Sequence, residues 1–469
     1  MTEQLHEASE LAAKLDSLAA QHTRWRDGGT VNLNAATNSL SRAARAALST
    51  SLADKGISSG LHSRHHQGGR YIDEVEELLT ALTARMLGGA SADLRAPTGS
   101  LANAIALAAL GDRHRPVLTG GPRELGHFSL HAAGWGGLLA GGVEFVPFLG
   151  DGVTIDGEAL MGRALAVEPA VIVVGSQAML FPLDLGPVRA AADQVGAVVI
   201  YDAAHPLGLI AAGRFQRPLA EGADVITGST QKSLPGPVGG VIITRTEELG
   251  RRVYEATNAY MSNYQNNRVL AYGYTMLEMR AFGAQYAAAT IENAQRLAGA
   301  FAGHGLVPMF AERGYTESNQ FLVPWGDHEA ATSFARLCER ANIIVSVIAL
   351  PGGSARQDSH GLRVGVQDLT RHGLTPGQFQ QVADAVAAVA RDPRRAERIA
   401  ADMSELAAQT ATVYYDLEHG LPPRGALPAR TAASDPLHRR APADLPRRHG
   451  RVPRPQARGG PAPSAPRWC

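Results

Sequence analysis

The chain is poor in cysteine, lacks net charge and has no long apolar run. Two cysteines, Cys338 and Cys469, in 469 residues cannot build a disulfide framework, which excludes the small secreted scaffolds and leads us to expect a reducing, cytoplasmic setting. No stretch is apolar enough to span a bilayer, and Met1 leads into a polar amphipathic helix, Glu3 to Ala20, rather than a signal peptide. Basic and acidic residues balance at 44 each, so neither membrane nor nucleic acid is an expected partner. No internal repeat is visible.

The balance conceals an uneven distribution. From Gly420 onward there are ten arginines, no lysine and two acidic residues, so this tail carries about +8 and the body before it about −8. Eleven of the 27 prolines fall in the same stretch. With few apolar side chains it cannot bury a core, and disorder is expected over residues 420–469. The body is long enough for a large core divided between two domains.

Against these absences stands one informative pair. An apolar strand, Val198-Val199-Ile200, delivers Asp202, and a second strand-like run, Asp224-Val225-Ile226, delivers Lys232 in the small-residue loop that begins at Ser229. An acid at one strand end and a lysine at the next is how pyridoxal phosphate is held in the aminotransferase-like fold. The carboxylate keeps the pyridine nitrogen protonated so that the ring draws off electrons, and the lysine carries the aldehyde as a Schiff base. Solvated loop residues give such pairs too; the flanking residues make this one specific.

Asp202 to Gly213 reads DAAHPLGLIAAG and Lys232 to Gly240 reads KSLPGPVGG. Both resemble serine hydroxymethyltransferase, whose patterns are DxAHxxGLxAAG and HKxLxGPRGG, and the resemblance runs over residues 30–415. Thr98-Gly99-Ser100-Leu101-Ala102-Asn103 matches the family's Ser-Gly-Ser-Gln-Ala-Asn. The resemblance implies that Thr98, Gly99 and Ser100 hold the cofactor phosphate at a helix N-terminus, although an ordinary N-cap would use one of these hydroxyls. His127 falls where the family stacks a histidine on the pyridine ring, Ser176 lies where it has a serine near the phenolic oxygen, and His205 lies in the same neighbourhood. With Asp202, Ser229 and Lys232 they complete the implied cofactor set; no metal site is implied. Arg363, in Gly361-Leu362-Arg363-Val364-Gly365, resembles the family arginine that grips the substrate carboxylate through its planar fork.

The departures cluster on the substrate side. The family's Lys-Tyr-Ala-Glu-Gly reads Lys55-Gly56-Ile57-Ser58-Ser59, so Gly56 stands for a tyrosine and Ser58 for a catalytic glutamate that the family donates from the partner subunit. A serine hydroxyl does not titrate near neutral pH and cannot replace that acid. Tyr-Tyr-Gly-Gly becomes His65-His66-Gln67-Gly68; on a strand the two histidines would point to opposite faces, so one of them, His66, is placed with Ser58 and Arg363 on the substrate side. Ala-Ser-Glu-Asn becomes Ala35-Ala36-Thr37-Asn38, Gln231 replaces the histidine before the lysine, and Val238 the arginine of Gly-Pro-Arg-Gly-Gly. The family's Gly-Gly-Gln-Gly-Gly phosphate cup becomes Asn263-Tyr264-Gln265-Asn266-Asn267, in which asparagine tolerates a left-handed backbone.

Strand-like runs at Val117-Leu118 and at residues 143–147, 170–174, 197–202, 223–227 and 239–244 alternate with helical stretches at 101–110 and 187–195, which implies an α/β architecture with a mostly parallel sheet covered on both faces. With the resemblance this becomes a fold-type-I transferase: an N-terminal arm (residues 1–40), a large cofactor domain with a seven-stranded sheet (41–280), and a smaller α+β domain (281–419) reached through a long helix at 271–303. The resemblance implies a homodimer with shared active sites, acting on an α-amino acid. Lys232, Asp202 and His127 are its expected catalytic residues. Folate-independent aldol-type chemistry on a β-hydroxy amino acid, of aldolase or threonine-transaldolase type, is favoured, in a setting of specialised metabolism. Three alternatives stand beside it: β-elimination and replacement that closes a ring with a guanidine, folate-dependent hydroxymethyl transfer, and an idle cofactor-binding homologue whose tail recruits a partner.

Overall fold

The computed structural model describes residues 2–61, 64–352 and 359–427. Cys469 and residues 428–469 of the expected disordered tail lie outside the described residues. Twelve strands form among the described residues: β1 (Val31–Asn32), β2 (Ser91–Asp93), β3 (Val117–Thr119), β4 (Val143–Phe145), β5 (Val171–Val174), β6 (Val198–Asp202), β7 (Val225–Ser229), β8 (Gly240–Thr244), β9 (Gln320–Gly326), β10 (Ile343–Ile344), β11 (Ser346–Ala349) and β12 (His360–Gly365).

Seven of them make the main sheet, in the order β2-β8-β7-β6-β5-β3-β4. Strands β3 to β7 pair in parallel, while β8 runs antiparallel to both β7 and β2. The β-branched runs of β5 to β8 are almost wholly buried, as a sheet covered on both faces requires. Alternate residues serve different cores: Val171 and Val173 of β5 join Ile105 of the helix Gly99–Leu110, whereas Ile172 and Val174 join Leu160 and Val188. The expected, mostly parallel α/β sheet is therefore what forms. Its edge strand β2 was not expected, because Ser91-Ala92-Asp93 carries no strand-forming side chain and takes its conformation from pairing with β8.

A second sheet, β11-β12-β9, is antiparallel. The 38-residue helix Asn266–Gly303 starts ahead of the expected Ala271 and serves both layers, giving Tyr272 and Met276 to the core of the main sheet and Leu297 and Phe301 to that of the second. The N-terminal helix, Thr2–Gly28, is also longer than expected. No helix among the described residues is long and apolar enough to cross a membrane. A further apolar cluster joins Leu125, Ala178, Leu180 and Phe181 to Leu322 and Ile348, so loops beyond β3 and β5 pack on the second sheet.

One buried ion pair clamps the short helix Gln367–Arg371 to the long helix. Arg371 is fully buried and donates to Glu278 at 2.6 Å, and also to the carbonyls of Ser39 (3.0 Å) and Tyr415 (3.3 Å). Removing one partner strands the other charge in the core. Glu278→Leu is expected to cost about 3–5 kcal/mol in urea denaturation, with the Glu278→Leu/Arg371→Met pair recovering most of it; a single-variant cost under about 1 kcal/mol would remove the pair from the account of stability.

Candidate active site

Lys232 sits where the main sheet reverses direction. Strands β7 and β8 are adjacent and antiparallel with Ser229 opposite Gly240, so the segment between them closes over the C-terminal ends of the parallel strands, where α/β sheets bind ligands. Thr230 pins it: its N–H donates to Gly239 O (3.1 Å), its carbonyl accepts from Gly236 N–H (2.8 Å), and its hydroxyl donates to Pro237 O. From outside the loop, Asn38 Nδ2 donates to the carbonyl of Lys232 (2.7 Å) and to Tyr286 Oη (2.8 Å). The chain has three lysines, Lys14, Lys55 and Lys232, and the first two are exposed. That scarcity is a sequence signal for Lys232 independent of any motif.

The Lys232 ammonium lies 3.2 Å from His205 Nε2, and the same nitrogen is 3.3 Å from Arg363 Nη1. Burial, reinforced by Lys232 and Arg363, holds His205 well below the ordinary histidine range, so its imidazole is neutral and Nε2 faces both cations as an acceptor. Burial also lowers Lys232 to about 8, with Arg363 adding to the fall and Asp202 opposing it.

Asp202 ends β6, paired in register with Thr227 of β7. One carboxylate oxygen accepts from Ala204 N–H (2.9 Å) and the other from Asn103 Nδ2 (2.7 Å). The Thr227 hydroxyl donates to Asn103 Oδ1, which fixes the amide the right way round for Asp202. Neither Asn103 nor Thr227 was singled out from the sequence as a site residue, although Asn103 closes the matched motif that begins at Thr98.

Arg363 lies on β12, opposite Ser346 of β11 and Leu322 of β9. It donates to Gln177 O (2.7 Å) and to Ser346 Oγ (3.4 Å), and among the described residues no carboxylate pairs with it. Burial lowers its pKa to about 10. A buried guanidinium without a counter-ion suits an incoming carboxylate. His127 is partly buried; its Nδ1 accepts from Ser129 N–H (3.3 Å) and lies 2.7 Å from Ser129 Oγ, and its ring stacks on Phe128 with centroids 4.5 Å apart. Burial is the largest influence lowering its pKa, and the charges of Asp202, Lys232 and Arg363 all act on it.

The loop opening the helix Gly99–Leu110 meets the end of β7. A Cβ on Gly99 would lie 2.2 Å from Ser229 Oγ, so a side chain here would have to displace the Ser229 hydroxyl. Thr98 Oγ1 accepts from Leu101 N–H (3.1 Å) as an ordinary cap, and Ser100 Oγ accepts from Trp135 Nε1 (3.1 Å). Both hydroxyls act as acceptors in these bonds, which leaves their protons available to an anion. Ser176, just beyond β5, accepts from Ala178 N–H (3.1 Å). A reactive amine, a fixed carboxylate, a glycine-lined cradle and an unpaired guanidinium together fit pyridoxal phosphate and an amino acid.

Two predicted substrate residues are not part of this hydrogen-bonded group. Ser58 Oγ is buried without a hydrogen-bond partner. Its segment is fastened within the chain by Arg64, which donates to Ser59 O and Tyr264 Oη (2.7 Å) and pairs with Asp73 (2.7 Å) and Glu76 (2.6 Å). Ser59 stands at φ 65°, a left-handed conformation at the position where the resembled motif has glycine. His65 and His66 are exposed in a bend, so the expectation of a strand with alternating faces is overturned: the inward pull on Arg64 turns the chain there. Residues 263–267 need no left-handed backbone either. Asn266 and Asn267 instead open the long helix, and their amides donate to Lys55 O (3.5 Å) and Leu48 O (2.8 Å).

The lowered Lys232 gives a pH signature. An amine must be neutral to attack an aldehyde, so capture of pyridoxal phosphate by the cofactor-stripped protein should rise roughly tenfold per pH unit up to about pH 8 and then level. Arg363→Met should move the inflection upward. Borohydride trapping with mass spectrometry checks both, and a rate still climbing at pH 10 would mean that the amine is not depressed.

The chain matches the family model for serine hydroxymethyltransferase over residues 12–386. It is 35% identical over 414 residues to the serine hydroxymethyltransferase of Thermococcus gammatolerans, covering 86% of this chain and 96% of that one. It is 36% identical over 391 residues to that of Pyrobaculum aerophilum, covering 82% and 90%. Among solved structures it is similar in fold to L-threonine transaldolase from Pseudomonas fluorescens, with a TM-score of 0.81, 22% identity, and coverage of 89% of this chain and 96% of that one. The extent of these matches, on a sheet that carries the lysine and aspartate at its strand ends, makes the chain a member of the serine hydroxymethyltransferase family, with pyridoxal 5′-phosphate as its cofactor.

Proposed function

We propose that this enzyme makes or breaks the Cα–Cβ bond of a β-hydroxy-α-amino acid without folate, as an aldolase or transaldolase. The observation that carries the reading is Ser58, a non-titrating hydroxyl where the family motif has its glutamate, in a chain that keeps Lys232, Asp202 and Arg363. The name of the structural neighbour, a threonine transaldolase, agrees with it. A role in specialised metabolism and a cytoplasmic location belong to the same proposal.

In this reading Lys232 supplies the amine for the cofactor, Asp202 holds the pyridine nitrogen and His127 covers the ring. Ser176 and His205 attend the phenolic oxygen, while Thr98, Gly99, Ser100 and Ser229 hold the phosphate. Bound pyridoxal phosphate supplies an electron sink for the pair released at Cα. Arg363 grips the substrate carboxylate and so fixes which Cα bond faces the reaction. His127 or a nearby histidine takes the β-hydroxyl proton as the Cα–Cβ bond breaks and the aldehyde leaves; in a neutral His127 the accepting nitrogen is Nδ1, the one that faces Ser129. Lys232, with a pKa of about 8, returns a proton to Cα, leaving glycine; the reverse sequence joins glycine to an aldehyde.

A second copy of the chain completes the proposal. Leu11, Leu15, Leu18 and Trp25 follow helical spacing on an exposed face of the N-terminal helix, and Tyr71 and Leu78 are exposed on the helix Arg70–Leu87. In a dimer these faces would be covered, and Ser58 and His66 would serve the partner's site rather than their own.

The test is product analysis. Serine with tetrahydrofolate should give negligible glycine, while at least one β-hydroxy-α-amino acid should give glycine and an aldehyde without folate. Water loss instead of aldehyde release would favour elimination and cyclisation, and efficient folate-dependent turnover would sink the reading of Ser58. Arg363→Ala should raise KM on the order of a hundredfold, with Arg363→Lys restoring part; equal binding of decarboxylated amines and amino acids by the native enzyme would remove the carboxylate role.

A further inference from the structure

Gln177 touches both halves of the site. It follows Ser176 beyond β5, where its N–H donates to Leu125 O (2.8 Å) and its side-chain Nε2 to Gly126 O (3.2 Å), while its carbonyl accepts from Arg363 Nη1 (2.7 Å). The turn that places His127 and the guanidinium of Arg363 are therefore both tied to one residue. That turn has little room to re-seat. Leu125 stands at φ 58°, and a Cβ on Gly126 would lie 1.8 Å from Gly120 O. Immediately after Gln177, Ala178, Leu180 and Phe181 pack with Leu125 against Leu322 and Ile348 of the second sheet, and Leu322 is the cross-strand neighbour of Arg363. The bracket thus stands on a core shared by both sheets.

We propose that Gln177 is a positioning residue that sets the span between the His127 imidazole and the Arg363 guanidinium, and thereby which Cα bond stands perpendicular to the cofactor ring. This rests on the reading of His127 as the ring's cover and Arg363 as the carboxylate's anchor. One group fixes the ring plane and the other fixes one substituent of Cα; the directions of the remaining two follow from the distance between them. The bond perpendicular to the ring is the one whose electrons the ring can accept, so a small change in that span redistributes reactivity among Cα bonds. The side-chain amide makes the only one of the three contacts that a substitution removes, since the other two are backbone.

The experiment uses glycine, whose exchange requires no aldehyde and so does not depend on the aldol reading. The holoenzyme in deuterium oxide should exchange one α-hydrogen of glycine far faster than the other, as followed by proton NMR. Gln177→Met, similar in length but without a donor, should keep cofactor content and melting temperature while the ratio of the two exchange rates falls on the order of tenfold; Gln177→Asn, with the amide on a shorter arm, should fall between. An unchanged ratio in Gln177→Met overturns the proposal. Should that variant lose its cofactor, the same ratio in Gln177→Asn decides, and an unchanged value there overturns it equally. Absence of exchange in the unsubstituted enzyme would overturn both this inference and the amino-acid site, whereas exchange without aldehyde release from any β-hydroxy amino acid would overturn only the aldol chemistry.

Discussion

Two cations, Lys232 and Arg363, are buried around a single neutral imidazole, His205, and the architecture of the site follows from that arrangement. Burying one unpaired charge costs several kcal/mol even after relaxation. The chain offsets this with polar groups set by the fold: the carboxylate of Asp202, the carbonyl of Gln177 and the hydroxyl of Ser346. None of these neutralises Arg363, so the site is built to be completed by an anion. Burial, with Arg363 adding to it and Asp202 opposing it, lowers Lys232 to about 8, giving an amine that can be neutral near physiological pH.

Sheet topology makes this concentration of charge possible. Strands β5, β6 and β7 run in parallel and bring Ser176, Asp202 and the lysine loop to one end; β8 then turns back and closes the loop through Thr230. Arg363 arrives on a different sheet. Its position relative to His127 depends on the Gln177 bracket and on the apolar cluster of Leu125, Phe181 and Leu322. Lys232 and Asp202 thus stand on the main sheet and Arg363 on the second, with Gln177 tying the guanidinium to the turn that carries His127. The altered positions do not follow that division: Gln231 lies in the lysine loop of the main sheet, and Gly56 and Ser58 lie in the segment that Arg64 fastens to Asp73, Glu76 and Tyr264.

The sequence by itself determined the α/β class and the alternation that buries β5 to β8, and it singled out Lys232, Asp202 and Arg363 as candidates that the fold places near His205 and at a strand end. These are legible because strand ends, small-residue loops and β-branched runs are local patterns. Asn103 and Thr227, which orient Asp202, and Gln177, which links Arg363 to the His127 turn, are ordinary polar residues whose partners lie far away in sequence. The tertiary structure alone decided those contacts, the edge pairing of β2, and the bend that leaves His65 and His66 in solvent. The physical reason is the same in each case: a hydrogen bond between distant residues depends on the packing of whole elements, and Arg64 turns inward onto Glu76, from the helix Arg70–Leu87, and Tyr264, from the segment just ahead of the long helix, which are themselves hydrogen-bonded to each other.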